Sequence, residues 1–217
     1  MAVTQAQAST GTAQRILDVA EELVQGRGYN GFSYADIAGE LGITKASLHY
    51  HFASKAELGE ALIERYSARF LEALERIAST TSGASSKLEA YASLYVDVLR
   101  GDRMCLCGML AAEYQTLPER MHGSVIRFFD HNLTWLADVL AQGECDGELS
   151  LNGSPADAAQ TVLSALQGAM LVARPYRDLA RFQAAAAHTL ASLSRTHCPD
   201  EPAKRLPGVL STLTSRA

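Results

Sequence analysis

The chain has 217 residues, of which 47% are hydrophobic and 20% charged, and its formal net charge is −5 at pH 7. This composition is typical of a globular protein of one or two domains with a sizeable core. The lack of any run of about 18 apolar residues excludes a predicted membrane span. The negative charge excludes nucleic-acid binding through a general basic surface.

The first segment, residues 1–11, is polar and is predicted to be a flexible arm. It lacks the basic and apolar regions of a secretory signal. A helix is predicted over residues 13–26, ended by Gly26 and Gly28. Its apolar positions recur at helical spacing, at Ile16, Leu17, Ala20, Leu23 and Val24. Four cysteines without disulfide or zinc spacing favour a reducing cytoplasm.

Residues 33–58 contain the most informative pattern of the chain. A short helix ending at Leu41 is followed by Gly42, which permits a tight turn. Thr44 then occupies an N-cap position ahead of a second short helix. The outer face of that helix is predicted to carry small or hydrogen-bonding side chains, namely Lys45, Ala46, Ser47, His49 and Tyr50. Such a face suits the major groove of DNA.

This segment resembles the DNA-binding domain of the TetR family of bacterial transcriptional regulators. The resemblance spans roughly residues 12–60, and LHYHFASKAEL is its most specific part. One mild departure is His49, which takes a position where tyrosine is commoner. The matching residues are Ser33, Ile37, Ala38, Leu41, Gly42, Ile43, Thr44, Lys45, Ser47, Leu48, Tyr50, His51, Phe52, Lys55 and Leu58.

In the context of this motif, the polar residues are predicted to contact DNA rather than to form a plain solvated helix face. Thr44 is expected to cap its helix, to contact a phosphate, or to do both. Lys55 is expected to meet a phosphate at the start of the next helix. His51 and Phe52 are interpreted as structural. The predicted DNA-binding residues are Ser33, Tyr34, Thr44, Lys45, Ala46, Ser47, His49, Tyr50 and Lys55.

The rest of the chain is also predicted to be helical, because it lacks the alternating pattern of strands. A long helix over 54–78 opens with Ser54 and Glu57, the spacing of a capping box. Further helices are predicted over 87–100, 103–115, 118–142, 155–173 and 178–196. The expected fold is all-α, with a flexible arm (1–11), a helix-turn-helix DNA-binding domain (12–58), a larger helical domain (59–198) and a tail (199–217).

The resemblance implies that the larger domain binds a small molecule and forms a homodimer. Helices 155–173 and 178–196 would then pack against their copies as a four-helix bundle. Small residues such as Ala165, Gly168 and Ala187 would allow the close approach that this packing needs. The alternative is that these are alanine-rich core helices of high helix propensity.

Cys105 and Cys107 form the second notable feature. A C-x-C pair lacks the redox C-x-x-C spacing, and a disulfide between residues two apart would be strained. One interpretation is that both are small buried hydrophobes. The other is a thiol-based redox or electrophile sensor, in which modification of one cysteine releases DNA. Arg100 and Arg103 are candidates to lower a thiol pKa.

Several aromatic and polar residues of the larger domain are candidates for an effector pocket, although such residues more often belong to a core. The predicted ligand-binding residues are Cys105, Cys107, Glu113, Tyr114, Phe128, His131 and Trp135, with His122 and Phe129 beside them. No strongly basic cluster occurs in this half of the chain. A mostly apolar small molecule with one or two polar contacts is therefore the expected ligand.

The sequence shows no sign of an enzyme. It contains no G-x-S-x-G elbow, Walker loop, G-x-G-x-x-G or H-E-x-x-H motif, so no catalytic residue, metal site or cofactor is predicted. We therefore predict a ligand-responsive, homodimeric repressor that a small molecule releases from a palindromic double-stranded DNA operator. A helical interaction module without DNA binding is the alternative from another class.

Overall fold

The computed structural model describes the backbone of residues 2–193 and the side chains of residues 11–193. Two short 3-10 turns, Tyr114–Thr116 and Arg174–Tyr176, interrupt its helices. Within the described range, the α-helices are α1 (Ala2–Arg27), α2 (Tyr34–Leu41), α3 (Lys45–His51), α4 (Lys55–Thr80), α5 (Ala84–Arg100), α6 (Leu106–Ala112), α7 (Glu119–Cys145), α8 (Pro155–Ala173) and α9 (Leu179–Ala191). The predicted all-α class is confirmed.

Helices α1 to α3 form the small N-terminal domain, and local caps fix their ends. Ser33 caps α2 in a reciprocal capping box with Asp36. Gly42 ends α2 with a left-handed backbone at φ 64°, which glycine adopts without steric cost. Thr44 caps α3 by accepting a hydrogen bond from the Ser47 amide at 3.1 Å. The turn between α2 and α3 is therefore set by the residues that predicted it.

Some predicted boundaries differ from the observed ones. Helix α1 begins at Ala2, so residues 2–11 of the segment predicted to be a flexible arm (1–11) belong to the first helix. The helix predicted over 103–115 is shorter, because residues 101–105 turn back toward α1 and the Met104 amide donates to the Gln25 carbonyl at 3.1 Å. The last described helix ends at Ala191 rather than 196. The predicted tail (199–217) lies outside the described residues.

Helix α4 connects the two domains, and ion pairs fasten it to α1. Arg65 donates to Asp18 at 2.7 Å and to Glu21 at 2.8 Å, and Arg69 reaches the same Glu21 carboxylate. The Arg65 and Glu21 side chains are largely buried, at 15% and 13% exposed, so these pairs are better shielded from solvent than typical surface pairs. A shift of α4 must therefore carry α1 with it.

Helices α4 to α9 form the larger domain around an aromatic core. Phe70 lies at its centre and makes ring contacts with Tyr91, Tyr95 and Phe128, with centroids 5.2 to 6.2 Å apart. Tyr66 packs against Phe70 and Phe128 from the same helix face. Edge-to-face and tilted aromatic pairs of this kind add to the burial energy. No helix within residues 2–193 is long and apolar enough to cross a membrane.

Candidate nucleic-acid interface and its junction with the larger domain

Helix α3 presents an exposed polar face on the small domain. Tyr50 is 80% exposed, an unusual state for a large aromatic side chain. Lys45, Ala46 and His49 are exposed beside it, whereas Leu48 is fully buried on the opposite face. A helix of seven residues is unstable alone. The Thr44 cap and the buried Leu48 hold it on the domain and leave its outer face free for a partner.

His49 is exposed, but its side chain is held on one side. Its Nδ1 lies 3.1 Å from the carbonyl oxygen of Ala53, and its ring packs on that of Tyr34 at a centroid distance of 4.8 Å. Tyr50 makes an edge contact with His51 at 5.2 Å. These contacts orient the two rings before any partner binds, which reduces the entropy lost on binding.

Tyr34 does not present its hydroxyl to a partner, contrary to the sequence prediction. The side chain is buried, and its hydroxyl donates to the carbonyl of Phe52 at 2.9 Å. Burial, with a smaller contribution from the nearby Glu57 carboxylate, raises the pKa of Tyr34 to about 12. Tyr34 therefore fixes the turn between α3 and α4, and its contact with DNA stays a prediction.

Lys55 is also turned inward. Its ammonium group donates to the Phe32 carbonyl and lies over the rings of Tyr29 and Phe32, at 4.6 and 4.2 Å from their centroids. Burial lowers the pKa of Lys55, although the Glu113 and Asp36 carboxylates act in the opposite direction. The predicted phosphate contact is not supported by this position, because the charge is already used to join α4 to the loop before α2.

Ser33 is exposed at the edge of the same face, and its hydroxyl is occupied. It donates to Asp36 at 2.7 Å and accepts from the Ala35 amide at 3.2 Å. An open groove of about 370 Å³ lies in front of it, between the start of α2 and α3. Its lining combines most of the predicted contacts with their supports: Phe32, Ser33, Tyr34, Ala35, Lys45, His49 and Lys55.

The small domain is joined to the larger one through the loop after α1. The Glu113 carboxylate accepts hydrogen bonds from the backbone amides of Tyr29, at 2.5 Å, and Asn30, at 3.4 Å. The Asn30 side chain donates to Thr116 at 2.7 Å. A Cβ atom at Gly28, where φ is 82°, would lie 2.7 Å from a Glu113 oxygen. Glu113, predicted to bind ligand, therefore joins the two domains in this structure.

Two further bonds hold the last turn of α1. The Arg174 guanidinium donates to the Gly26 carbonyl, and the Met104 amide donates to the Gln25 carbonyl. Carbonyls at a helix C-terminus lack intrahelical partners, so donors from outside stabilise them. No short sequence pattern predicts this junction, because the residues that form it are separated by 79 or more positions.

The two cysteines of interest are buried side by side. Cys105 precedes the first turn of α6 and Cys107 lies within it, and both are 0% exposed. The Tyr66 hydroxyl lies 3.6 Å from the Cys105 sulfur, and burial raises the pKa of the Cys107 thiol. Arg100 and Arg103, predicted to activate a thiol, instead pair with Asp97 and Glu22. The geometry thus matches the interpretation of small buried side chains.

The remaining predicted ligand residues lie in different places. Phe128 is part of the aromatic core, and Trp135 stacks on Tyr91 with centroids 5.6 Å apart. Tyr114 stacks on His122 at 4.1 Å near the domain junction. His131 is exposed on α7. The structure therefore does not bring the seven predicted residues together into one cavity.

A buried polar network in the core was missed by the sequence analysis. The Tyr91 hydroxyl lies 2.8 Å from that of Tyr95 and donates to the Asn132 side-chain oxygen at 2.9 Å. Asn132 in turn donates to the Phe128 carbonyl. The four-residue spacing of the two tyrosines on α5 placed them on one face. Such a network offers polar partners inside an otherwise apolar domain.

A groove of about 380 Å³ lies between α5 and α9, and none of the seven predicted ligand residues lines it. Leu88, Ala92 and Phe182 form part of its apolar floor. Among the described residues, no group of three or more His, Cys, Asp or Glu side chains is placed to hold a metal ion.

Two family models match the chain. The model of bacterial regulatory proteins of the tetR family matches residues 16–62, which contain the face described above. The model of the tetracyclin repressor-like C-terminal domain matches residues 84–189, most of the larger domain. Together the two models match parts of both domains, in the order in which the domains occur in this chain.

Known proteins share this arrangement. A TetR-family transcriptional regulator from Agrobacterium tumefaciens superposes with a TM-score of 0.84 and 32% identity, covering 86% of this chain and 100% of that one. The transcriptional repressor NemR of Escherichia coli is 25% identical over 82% of this chain and 91% of its own, and its reduced form superposes with a TM-score of 0.73. The repressor DhaR of a Mycobacterium species is 24% identical over 76% of this chain and 83% of its own.

Proposed function

Because this chain belongs to the TetR family of DNA-binding transcriptional regulators, we propose that it acts as a homodimeric repressor released from its operator by a small molecule. The observation that carries this proposal is the exposed face of α3, where Tyr50 is 80% exposed above a buried Leu48. Lys45, Ala46, Ser47, His49 and Tyr50 are proposed to enter the major groove, and Thr44 to meet a phosphate. A chromosomal target would place this activity in the cytoplasm.

Dimerisation through α8 and α9 is supported by the side chains that those helices leave uncovered. Leu171 and Val172 are each 62% exposed near the end of α8. On α9, the exposed face consists largely of alanines such as Ala184 and Ala187. Large apolar side chains exposed together mark an interaction surface. Paired with its copy, this face would set two α3 helices about one DNA turn, roughly 34 Å, apart.

Release of DNA follows from thermodynamic linkage. An effector weakens DNA binding only if it binds the DNA-incompetent arrangement more tightly than the competent one. The junction of Glu113, Arg174 and the end of α1 supplies a route, because the ion pairs of Arg65 make α1 and α4 move together. We propose that the effector acts in the larger domain and changes the spacing of the two α3 helices.

The test is selection of bound duplexes from a random DNA pool by the purified protein at moderate salt, followed by sequencing. A palindromic consensus with half-sites about one helical turn apart supports the dimeric regulator. Failure to enrich any sequence, with the protein folded and dimeric, would favour a helical interaction module. Inclusion of a denatured-protein control separates weak selection from background.

A thiol sensor built on Cys105 is a second candidate. The Cys105 sulfur lies within 3.6 Å of the Tyr66 hydroxyl, on the helix that leads to the small domain, and adduct formation there would force α4 and α6 apart. The relative NemR has been solved in a form described as reduced. In the proposed sensing reaction, the Cys105 thiolate adds to one carbon of the double bond of an electrophile such as a maleimide, and water supplies the proton to the second carbon. The test is DNA binding after treatment with the maleimide. Equal loss of DNA binding in the treated wild type and in a treated Cys105→Ser, Cys107→Ser variant would reject this candidate.

A further inference from the structure

A cavity of about 310 Å³ lies where the α5–α6 and α8–α9 connections meet, away from the aromatic core. Its apolar wall consists of Leu99, Ala173 and Leu179. A shallower hollow beside it shares Asp102, Arg174 and Arg177 and extends toward Leu171. The size and the mixed lining are those of a small-ligand site, an apolar surface with a few convergent polar groups.

The charges around this cavity favour an anion. Three arginines line it, Arg100, Arg174 and Arg177, against the two carboxylates of Asp102 and Asp178. This local excess of positive charge stands out in a chain whose net charge is −5. Planar guanidinium groups bind carboxylates through paired hydrogen bonds, which lysine cannot reproduce.

The carboxylates near the arginines hold them only through exposed ion pairs. Arg100 pairs with Asp97 at 2.9 Å, and the two side chains are 63% and 78% exposed. Asp178 is engaged at the start of α9, where it accepts from the Ala180 amide at 3.0 Å and pairs with Arg181 at 3.4 Å. Asp102 pairs with Arg177 at 3.5 Å, and the two side chains are 56% and 81% exposed. An exposed pair at that distance is weak and gives way to a better-placed anion.

Backbone strain marks the same place. Within the described residues, Asp102 and Arg177 are the non-glycine positions with positive φ, at 55° and 49°, and they are the two partners of this ion pair. A left-handed backbone is costly for a residue such as arginine and persists only where the surroundings impose it. Both residues line the cavity and the hollow beside it.

Arg174 links the cavity to the small domain. Among the described residues no carboxylate pairs with it, and its guanidinium donates to the Gly26 carbonyl and to the Met109 sulfur. A ligand anion would compete for the donors that now hold the end of α1. We propose that this cavity binds a small organic monocarboxylate through Arg100, Arg174 and Arg177, with its apolar part against Leu99 and Leu179, and that binding draws Arg174 away from Gly26.

The test is calorimetric titration of the full-length protein with hexanoate and with the neutral hexanamide, without DNA. We expect saturable hexanoate binding that weakens about tenfold or more in an Arg100→Gln, Arg177→Gln variant, and little binding of the amide. Both of those arginines are exposed, so the variant should fold normally. Arg76→Gln, an exposed arginine on α4, is the matched control and should bind as the wild type does.

Equal binding of acid and amide, unchanged affinity in the double variant, or no binding of hexanoate up to about 10 mM would each overturn the proposal. The regulatory part rests on the proposed repressor function and is measured separately, as the effect of hexanoate on affinity for a selected duplex. A carboxylate that binds without changing DNA affinity would retain the site and reject its coupling to Gly26. A protein that never binds DNA would reject the repressor function and leave the calorimetric result intact.

Discussion

The Glu113 carboxylate accepts a hydrogen bond from the Tyr29 amide, with 2.5 Å between nitrogen and oxygen. The two residues are 84 positions apart in the sequence, and their contact joins the larger domain to the loop between α1 and α2. That loop leads directly into the helix-turn-helix unit. The orientation of α3 therefore depends on a residue in the larger domain, which is the physical requirement for an effector bound there to control DNA binding.

Removal of this carboxylate should destabilise the protein. In Glu113→Ala, the amides of Tyr29 and Asn30 lose their acceptor, so the free energy of unfolding should fall by about 1–3 kcal/mol. Urea denaturation measures this change. Glu72→Ala, at an exposed position of α4, is the control and should lie within about 0.5 kcal/mol of wild type. A Glu113→Ala variant as stable as the control would show that the contact contributes nothing.

Lys55 and Lys45 should behave differently when replaced. Lys45→Ala removes an exposed charge beside the DNA-facing residues, so the slope of log affinity against log salt should fall by about one unit. Lys55→Met should leave that slope unchanged and instead lower stability by about 1–2 kcal/mol, since it loses the Phe32 carbonyl bond and two ring contacts. A smaller salt slope in Lys55→Met would restore its predicted phosphate contact.

The Tyr34 hydroxyl should contribute to the stability of the small domain more than to its affinity for DNA. Tyr34→Phe keeps the ring against His49 and removes only the hydroxyl that donates to Phe52. We expect a loss of about 0.5–1.5 kcal/mol in unfolding free energy and a DNA affinity close to wild type under conditions where the protein is folded. A large affinity loss with full stability would mean that the hydroxyl reaches DNA.

Stability should decrease at alkaline pH. Burial raises the pKa of Cys107 above its ordinary 9.0 and those of Tyr66 and Tyr95 above 10.0. These groups keep their protons in the folded protein, while the unfolded chain releases them above those values. Their contribution is therefore fully present below about pH 9 and is lost as the pH rises further. The urea midpoint should fall as the pH rises from about 9 to 10.5, and less so in Tyr66→Phe; a pH-independent midpoint would contradict this.

The helix-turn-helix unit was predictable from sequence because its signals are local. Gly42, Thr44 and the capping residue Ser33 act on neighbours within a few positions, so the pattern of residue types determines the turn and both helix starts. The long helix after Ser54 was predicted for the same reason. The apolar spacing of the later helices predicted their number and approximate bounds.

The roles of individual side chains were harder to predict, because they depend on contacts between distant segments. Lys55 and Tyr34 occupy positions suited to DNA contact, and only the fold shows that both side chains point inward. Glu113 was predicted to line an effector pocket together with several aromatic residues. Its actual partners, Tyr29 and Asn30, lie more than 80 residues away. No short pattern encodes such a contact.

The most direct test of the account compares two exposed tyrosines. Tyr50 on α3 is 80% exposed and Tyr176 after α8 is 61% exposed, so either can be replaced by alanine with little effect on folding. Fluorescence anisotropy with a duplex from the selection should show that Tyr50→Ala weakens specific binding about tenfold or more, whereas Tyr176→Ala binds as the wild type does. Equal affinities for the two variants and the wild type would contradict the claim that α3 reads DNA.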